Sequence, residues 1–183
     1  MKNHQHINQT SGEFEYYTPP FVIEIARKTM GRIELDPASS EVANRGVMAD
    51  RFFSWVDDGL AQEWKSPALF MNHPFGAAER ACAESVTGRP CEKVVCAKRG
   101  FCRDTDYPGN AGWVNKLVSS FVSGKVRQAM CITYASTSEA WFQPLLDFPQ
   151  CFLSPRTNYL NADGTLAKGV SKGSVLTYLG PPG

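Results

Sequence analysis

The sequence predicts an α/β protein: a three-layer sandwich with helices on both faces of a mostly parallel, twisted sheet. Three observations predict it. Ala68, Leu69, Phe70 and Met71 form a short continuous apolar run, as in a strand buried on both faces. Similar short runs alternate along the chain with stretches of helical period. The run at 68–71 then ends on Asn72-His73-Pro74-Phe75-Gly76, a polar, rigid and aromatic turn. Open α/β sheets bind their ligands at such carboxyl ends. Asn72 offers both a donor and an acceptor, Pro74 stiffens the turn, and Phe75 presents a flat face. This combination suits the amino edge and face of a nucleobase, although the tetrapeptide by itself reads first as a strand-to-turn junction with an ordinary core Phe.

In chain order, residues 1–12 are polar and hold His4 and His6, which reads as a flexible tail before a single domain over 13–183. Tyr17-Thr18-Pro19-Pro20 starts a helix, with Thr18 as its cap and proline in the first turn. Phe21, Val22, Ile25, Ala26 and Met30 give that helix an apolar stripe, and Gly31 stops it. Ile33, Glu34 and Leu35 form a strand. The turn Asp36-Pro37-Ala38-Ser39-Ser40 leads into a helix reaching about Met48, with Asp36 and Ser39 as caps. The turn stands where nucleotide-binding folds place a glycine-rich loop, but it lacks the Gly-x-Gly-x-x-Gly pattern. Residues 49–53 form a strand, with Asp50 available for ribose hydroxyls. Asp57-Asp58-Gly59-Leu60 is a turn with an acidic edge, and Trp64 packs beneath the next strand.

Beyond Gly76 the expected order is a helix over 77–86 within a cysteine-rich, basic insert over about 77–110. An amphipathic helix over 111–122 follows, then a strand over 127–134 and a helix beginning at Thr137. Closing strands are expected at 150–153, 158–160 and 174–179, with a turn at Asn161-Ala162-Asp163-Gly164. Arg156 lies between two of these strands, in position to face the site.

Asn72-His73-Pro74-Phe75 resembles the Asn/Asp-Pro-Pro-Tyr/Phe motif of amino methyltransferases. With Tyr17-Thr18-Pro19-Pro20, Asp36-Pro37-Ala38-Ser39-Ser40, Asp57-Asp58-Gly59-Leu60 and Trp64, all in order, the set is similar to the phage-type DNA N6-adenine methyltransferases. The likeness is good over residues 15–76. It returns more weakly at Trp141 and over 152–180. It implies a seven-stranded, Rossmann-like methyltransferase sheet whose last strand is antiparallel. It also implies S-adenosylmethionine as cofactor, double-stranded DNA as partner, and methyl transfer to the N6 amine of adenine.

The resemblance assigns roles as follows. Tyr17, Thr18 and Pro19 wrap the cofactor's amino-acid end. Asp36, with Pro37 and Ala38, meets its ammonium group, Asp57 or Asp58 lies near its adenine, and Asn72 touches both cofactor and target. Asn72, His73, Pro74 and Phe75 form the catalytic turn. His73 departs from the family, which usually has proline there. Its backbone carbonyl is still available as an acceptor, and its side chain could reach a substrate phosphate. A catalytically weak binding module is an alternative, as is an enzyme for another amine, such as cytosine N4 or RNA adenine.

Composition sets outer bounds. With 183 residues and 43% hydrophobic content the chain can bury a real core. A formal net charge of +1 provides no bulk attraction for DNA, so any phosphate contacts must come from local patches. No apolar run is long enough for a bilayer span, and residues 1–12 lack a signal peptide's apolar middle, which points to the cytoplasm. There the six cysteines are expected as thiols or metal ligands rather than disulfides. Cys91, Cys96 and Cys102, with Cys82 upstream, do not follow a standard zinc-knuckle spacing, so both free thiols and a zinc site stay open. The same insert carries Arg99, Phe101 and Arg103, residue types that bind phosphates and stack on bases.

Overall fold

The structure, a computed structural model, describes residues 16–82, 91–161, 163–167 and 170–181, apart from the side chains of Lys98 and Arg99. The expected tail at 1–12 lies outside the described residues. The strands are β1 (Leu35–Asp36), β2 (Arg51–Phe52), β3 (Leu69–Met71), β4 (Ala129–Tyr134), β5 (Gln150–Phe152) and β6 (Ser174–Leu179). The helices described are α1 (Pro20–Met30), α2 (Glu41–Val47), α3 (Val94–Arg99) and α4 (Gly109–Val122), with a 3-10 turn at Gln143–Leu145. None of the described helices is long and apolar enough to cross a membrane.

The six strands form one mixed sheet in the order β2-β1-β3-β4-β6-β5. The pairs β2–β1, β1–β3 and β3–β4 are parallel. The last strand in the chain, β6, is antiparallel to both of its neighbours, β4 and β5. The expected seventh strand is not among the described residues. Past the β2 edge the chain makes turns rather than another strand: Ser54 N–H and Oγ donate to Asp57 Oδ2 at 2.8 and 2.7 Å, and Asp58 takes φ 52°. The hydroxyl and carboxylate of this segment thus satisfy backbone groups locally instead of leaving them for a ladder.

Alternation along the buried strands makes the layers. Leu69 and Met71 of β3 and Ala129 and Cys131 of β4 face one core, with Trp64, Leu117 of α4 and Leu145. Phe70, Met130 and Ile132 face the other, with Val22, Ile23 and Ala26 of α1 and Val47 of α2. Each strand residue buries its side chain on the opposite face from the next because the strand period is two.

Several local expectations change. The α1 N-cap is Pro19, without a side-chain cap bond, so Thr18 is not the cap. Ser40, rather than Asp36 or Ser39, caps α2 by accepting from Ala43 N–H at 3.1 Å. Residues 77–82 are not helical. They run alongside the return arm of the insert, joined by Glu79–Tyr107 backbone bonds of 2.8 Å, while residues 83–86 of the expected helix lie outside the described residues. The helix expected from Thr137 is reduced to turns and the 3-10 turn, and 158–160 contributes only isolated bridges at Leu160. The turn at Asn161–Gly164 is present, with Gly164 N–H donating to Asn161 O at 2.9 Å.

Candidate functional site

The sheet order locates the site. From β1 the chain goes outward to β2, then returns across to β3 on the other side of β1. The gap between the carboxyl ends of β1 and β3 is therefore the point where strand order reverses, which is where open α/β sheets form their crevice. Asp36 closes β1 and Asn72 follows β3, so the two flank this gap.

Asp36 is 2% exposed. Its Oδ1 accepts from Ala38 N–H at 3.1 Å, which closes the turn through Pro37. Burial pushes its pKa up to about 7, against the pull of the Ala38 N–H and the adjacent Ser39 hydroxyl. No cationic side chain pairs with it among the described residues. The acidic turn docks on this one. A Cβ at Gly59 would lie 1.9 Å from Pro37 O, so only glycine permits the approach. Trp64, buried and stacked on Trp113, donates from Nε1 to Gly59 O at 2.7 Å and holds the loop in place. Asp57 and Asp58 are exposed on that loop, and the Ser54 hydroxyl and N–H hold the Asp57 carboxyl below its ordinary range. Asp50, expected near ribose, stands at the amino end of β2, away from the crevice, beside Arg32 at 3.8 Å.

Asn72 Nδ2 donates to Thr18 Oγ1 at 2.9 Å across 54 positions of sequence. This contact joins the Tyr17-Thr18-Pro19 segment to the end of β3. Tyr17 is itself anchored through backbone bonds with Leu160 of 2.8 and 3.0 Å. Beside Pro19 a cavity is walled by Phe21, Leu153, Arg156 and Thr157. Arg156 is exposed there and donates to Val170 O at 3.4 Å.

His73 corrects an expectation. Its side chain is 1% exposed and so unable to reach a substrate phosphate. Nε2 lies 3.2 Å from Asn110 Oδ1, an acceptor, so it carries the proton. The same Asn110 oxygen accepts from Gly76 N–H at 2.9 Å, and Asn110 N–H donates to Gly76 O at 2.9 Å. Tyr107 OH donates to Pro74 O at 3.2 Å. The turn 73–76 is thus clamped from α4 and the segment before it. Burial pulls the His73 pKa down to about 4, so the ring is neutral. Gly109 makes the clamp possible, because a Cβ there would lie 2.5 Å from Ala78 N.

Phe75 is half-buried, with its ring centroid 4.3 Å from that of Tyr134 at the end of β4 and 6.1 Å from that of Tyr159. The His73 ring meets it edge-on at 5.1 Å. Asn110, Tyr107, Tyr134 and Tyr159 were not singled out from the sequence. They lie 31 or more positions beyond the turn, and only folding brings them to it.

No protein-family model, curated protein or solved structure matches the chain. The geometry therefore carries the reading of the site.

In the insert, Cys82, Cys91, Cys96 and Cys102 come together, with sulfurs all within 4.8 Å of one another. Of the basic residues beside them, Arg103 is directed inward. Its Nε is 3.3 Å from Glu79 Oε2, its guanidinium sits 4.4 Å from the Tyr107 ring centroid, and its side chain is 17% exposed. These contacts commit it to the insert rather than to a phosphate. Phe101 is half-buried. The Arg99 side chain lies outside the described residues.

Proposed function

We propose that the protein transfers a methyl group from S-adenosylmethionine to the N6 amine of adenine in double-stranded DNA. The observation that carries this reading is the pair Asp36 and Asn72 at the carboxyl ends of β1 and β3, on either side of the point where strand order reverses. The resemblance of the motifs around both residues to the N6-adenine methyltransferases supports it.

The residues present fit the cofactor. Asp36 is a buried carboxyl with no cationic partner among the described residues, and an ammonium group would pair with its ionised form. Asp36 would hold that ammonium, with Pro37 and Ala38 shaping the turn. Tyr17, Thr18 and Pro19 would border the amino-acid end, and the Asp57–Asp58 loop would border the adenosine. When bound, S-adenosylmethionine would supply a methyl group on a sulfonium sulfur, which departs as a neutral thioether while the methylated amine gives up one proton to water.

The chain's own part is to bind and orient. Adenine's exocyclic amine is a poor nucleophile because its lone pair is delocalised into the ring. Asn72 Oδ1 and the His73 carbonyl each accept one amine N–H and favour a more tetrahedral nitrogen. Thr18 engages the Asn72 NH2, which leaves the amide oxygen as the acceptor and fixes its direction. The target base must leave the helix stack to reach this turn, and Phe75 with Tyr134 offers it an aromatic wall. In place of the family's proline, the His73 side chain stiffens the turn through Asn110.

The test is incubation with methyl-labelled cofactor and unmethylated duplex DNA, followed by digestion and nucleoside identification. Label in N6-methyl-2′-deoxyadenosine is the expected result. Label in deoxycytidine, or label only in an RNA substrate assayed in parallel, reassigns the amine. Cofactor binding without label in any nucleic acid removes the enzymatic reading.

A further inference from the structure

The four-cysteine cluster is not used by the proposed reaction. Cys82 comes from the outgoing arm of the insert, Cys102 from the returning arm, and Cys91 and Cys96 from the segment between, Cys96 within α3. Cys82 Sγ lies 3.6 Å from Cys96 Sγ and 3.7 Å from Cys91 Sγ. Zinc–sulfur bonds of about 2.3 Å in a tetrahedron set the sulfurs about 3.8 Å apart. The observed spacing matches that edge and is far longer than a disulfide's roughly 2 Å. All four thiols are free of disulfides.

The surroundings fit a thiolate-bound cation. Four thiolates around a divalent ion leave two negative charges, and Lys93 Nζ stands 3.7 Å from Cys82 Sγ to offset them. Cys91 N–H donates to Cys102 Sγ at 3.0 Å, the kind of outer hydrogen bond that orients a metal-bound sulfur. Glu79 Oε1 lies 3.9 Å from Cys96 Sγ, and its carboxylate charge is offset by Arg103.

We propose that Cys82, Cys91, Cys96 and Cys102 bind one zinc ion as a tetrathiolate that closes the neck of the insert and so positions the turn after β3. Below the ion the two arms are already laced together. Cys82 N–H donates to Arg103 O at 2.9 Å and Ala81 N–H to Asp106 Oδ1 at 2.8 Å, above the Glu79–Tyr107 pair. The returning arm then delivers Tyr107 to Pro74 O and Asn110 to His73 and Gly76. The ion is a positioning element, with no contact to the reacting groups. The inference does not rest on the methyl-transfer reading, because its readouts need no activity.

The experiment uses the full chain purified without chelator. Elemental analysis is expected to give about one zinc per chain, and exchange for cobalt(II) to give the thiolate charge-transfer and d–d bands of a tetrahedral tetrathiolate. Cys96→Ser and Cys102→Ser are each expected to lose that spectrum, whereas Cys151→Ser, outside the cluster, keeps it. Chelation is expected to speed tryptic cleavage within 93–103 by about tenfold or more, because ordering of the neck is lost. Less than a tenth of an equivalent of zinc in protein whose thiols all react with a thiol reagent would overturn the proposal. So would a mass showing disulfides among these cysteines in freshly purified protein, or iron in place of zinc. Should a serine variant fail to fold, the cobalt spectrum of the wild-type chain decides alone.

Discussion

The Asn72 amide donates to the Thr18 hydroxyl at 2.9 Å, and this one contact aligns the end of the central strand with the segment that precedes α1. It removes the amide's donor from the crevice and leaves its acceptor. Asn72→Ala is therefore expected to lower methyl transfer by about 10²–10³-fold, comparable to deleting one oriented polar group from a reaction centre. Cofactor affinity should change by no more than a few fold. Thr18→Val keeps the shape and deletes the hydroxyl, so it should lower the rate while Thr18→Ser restores it. Single-turnover rates and calorimetry separate these effects. An Asn72→Ala variant as active as wild type would remove Asn72 from the reaction.

On the proposed reading, Asp36 should make cofactor binding pH-dependent. Its ionised form would pair with the ammonium, and in the free protein its pKa lies at about 7. Affinity should be constant above that value and weaken as pH falls below it, by about tenfold per unit until another group intervenes, because binding then displaces a proton. Calorimetry in buffers of different ionisation heat should detect the released proton. Asp36→Asn should weaken binding more than about tenfold and flatten the profile. A pH-independent affinity in the wild type would contradict this role.

His73 and Asp36 act on stability with opposite sign. His73 titrates at about 4 when folded against 6.5 when exposed, so its contribution is complete above 6.5 and is lost as pH falls toward 4. That loss amounts to about 3 kcal/mol at most. Asp36, raised from 3.8 to about 7, does the reverse: its stabilising share is complete below 3.8 and is lost as pH rises toward 7. Between pH 4 and 6.5 the two slopes oppose, and denaturant unfolding of the wild type should be nearly flat. Asp36→Asn should expose a decline in stability toward low pH, and His73→Gln a rise. Parallel profiles for the two variants would show that neither group is buried as described.

The His73 ring also fills space. His73→Pro keeps a backbone carbonyl but loses the bond to Asn110 and the packing against Phe75 and Trp113. It should lower stability by about 2–4 kcal/mol in thermal or urea unfolding. Below its melting temperature the variant should retain methyl transfer, because the acceptor remains. Asn110→Ala, which frees both His73 and Gly76, should be at least as damaging.

Phe75→Ala should chiefly weaken capture of the target base, by about 1–3 kcal/mol, and leave cofactor binding intact. Tyr134→Ala should act in the same direction, since its ring backs Phe75 at 4.3 Å. Fluorescence of a 2-aminopurine placed at the target position reports base capture directly. Unchanged fluorescence in both variants would place the base elsewhere.

The sequence by itself determined the α/β class, the buried run at 68–71, and the placing of Asp36 and Asn72 at strand ends. These follow from local apolar period and turn chemistry, which neighbouring residues set. The four cysteines could be named together from the sequence, but their odd spacing left both free thiols and a metal site open, because the insert's two arms must pair before four sulfurs converge. Only the tertiary structure decided what Thr18, His73 and Arg103 do. Thr18 reads locally as a helix cap, yet its hydroxyl accepts instead from the Asn72 amide at the end of β3. His73 is polar and reads as accessible, yet Trp113, Phe75 and Asn110 enclose it. Arg103 carries a charge suited to phosphate, yet Glu79 and Tyr107 occupy it. In each case the side-chain hydrogen-bond partner lies at least 24 positions away, and a polar side chain's burial and partner depend on such long-range contacts, which no local pattern encodes.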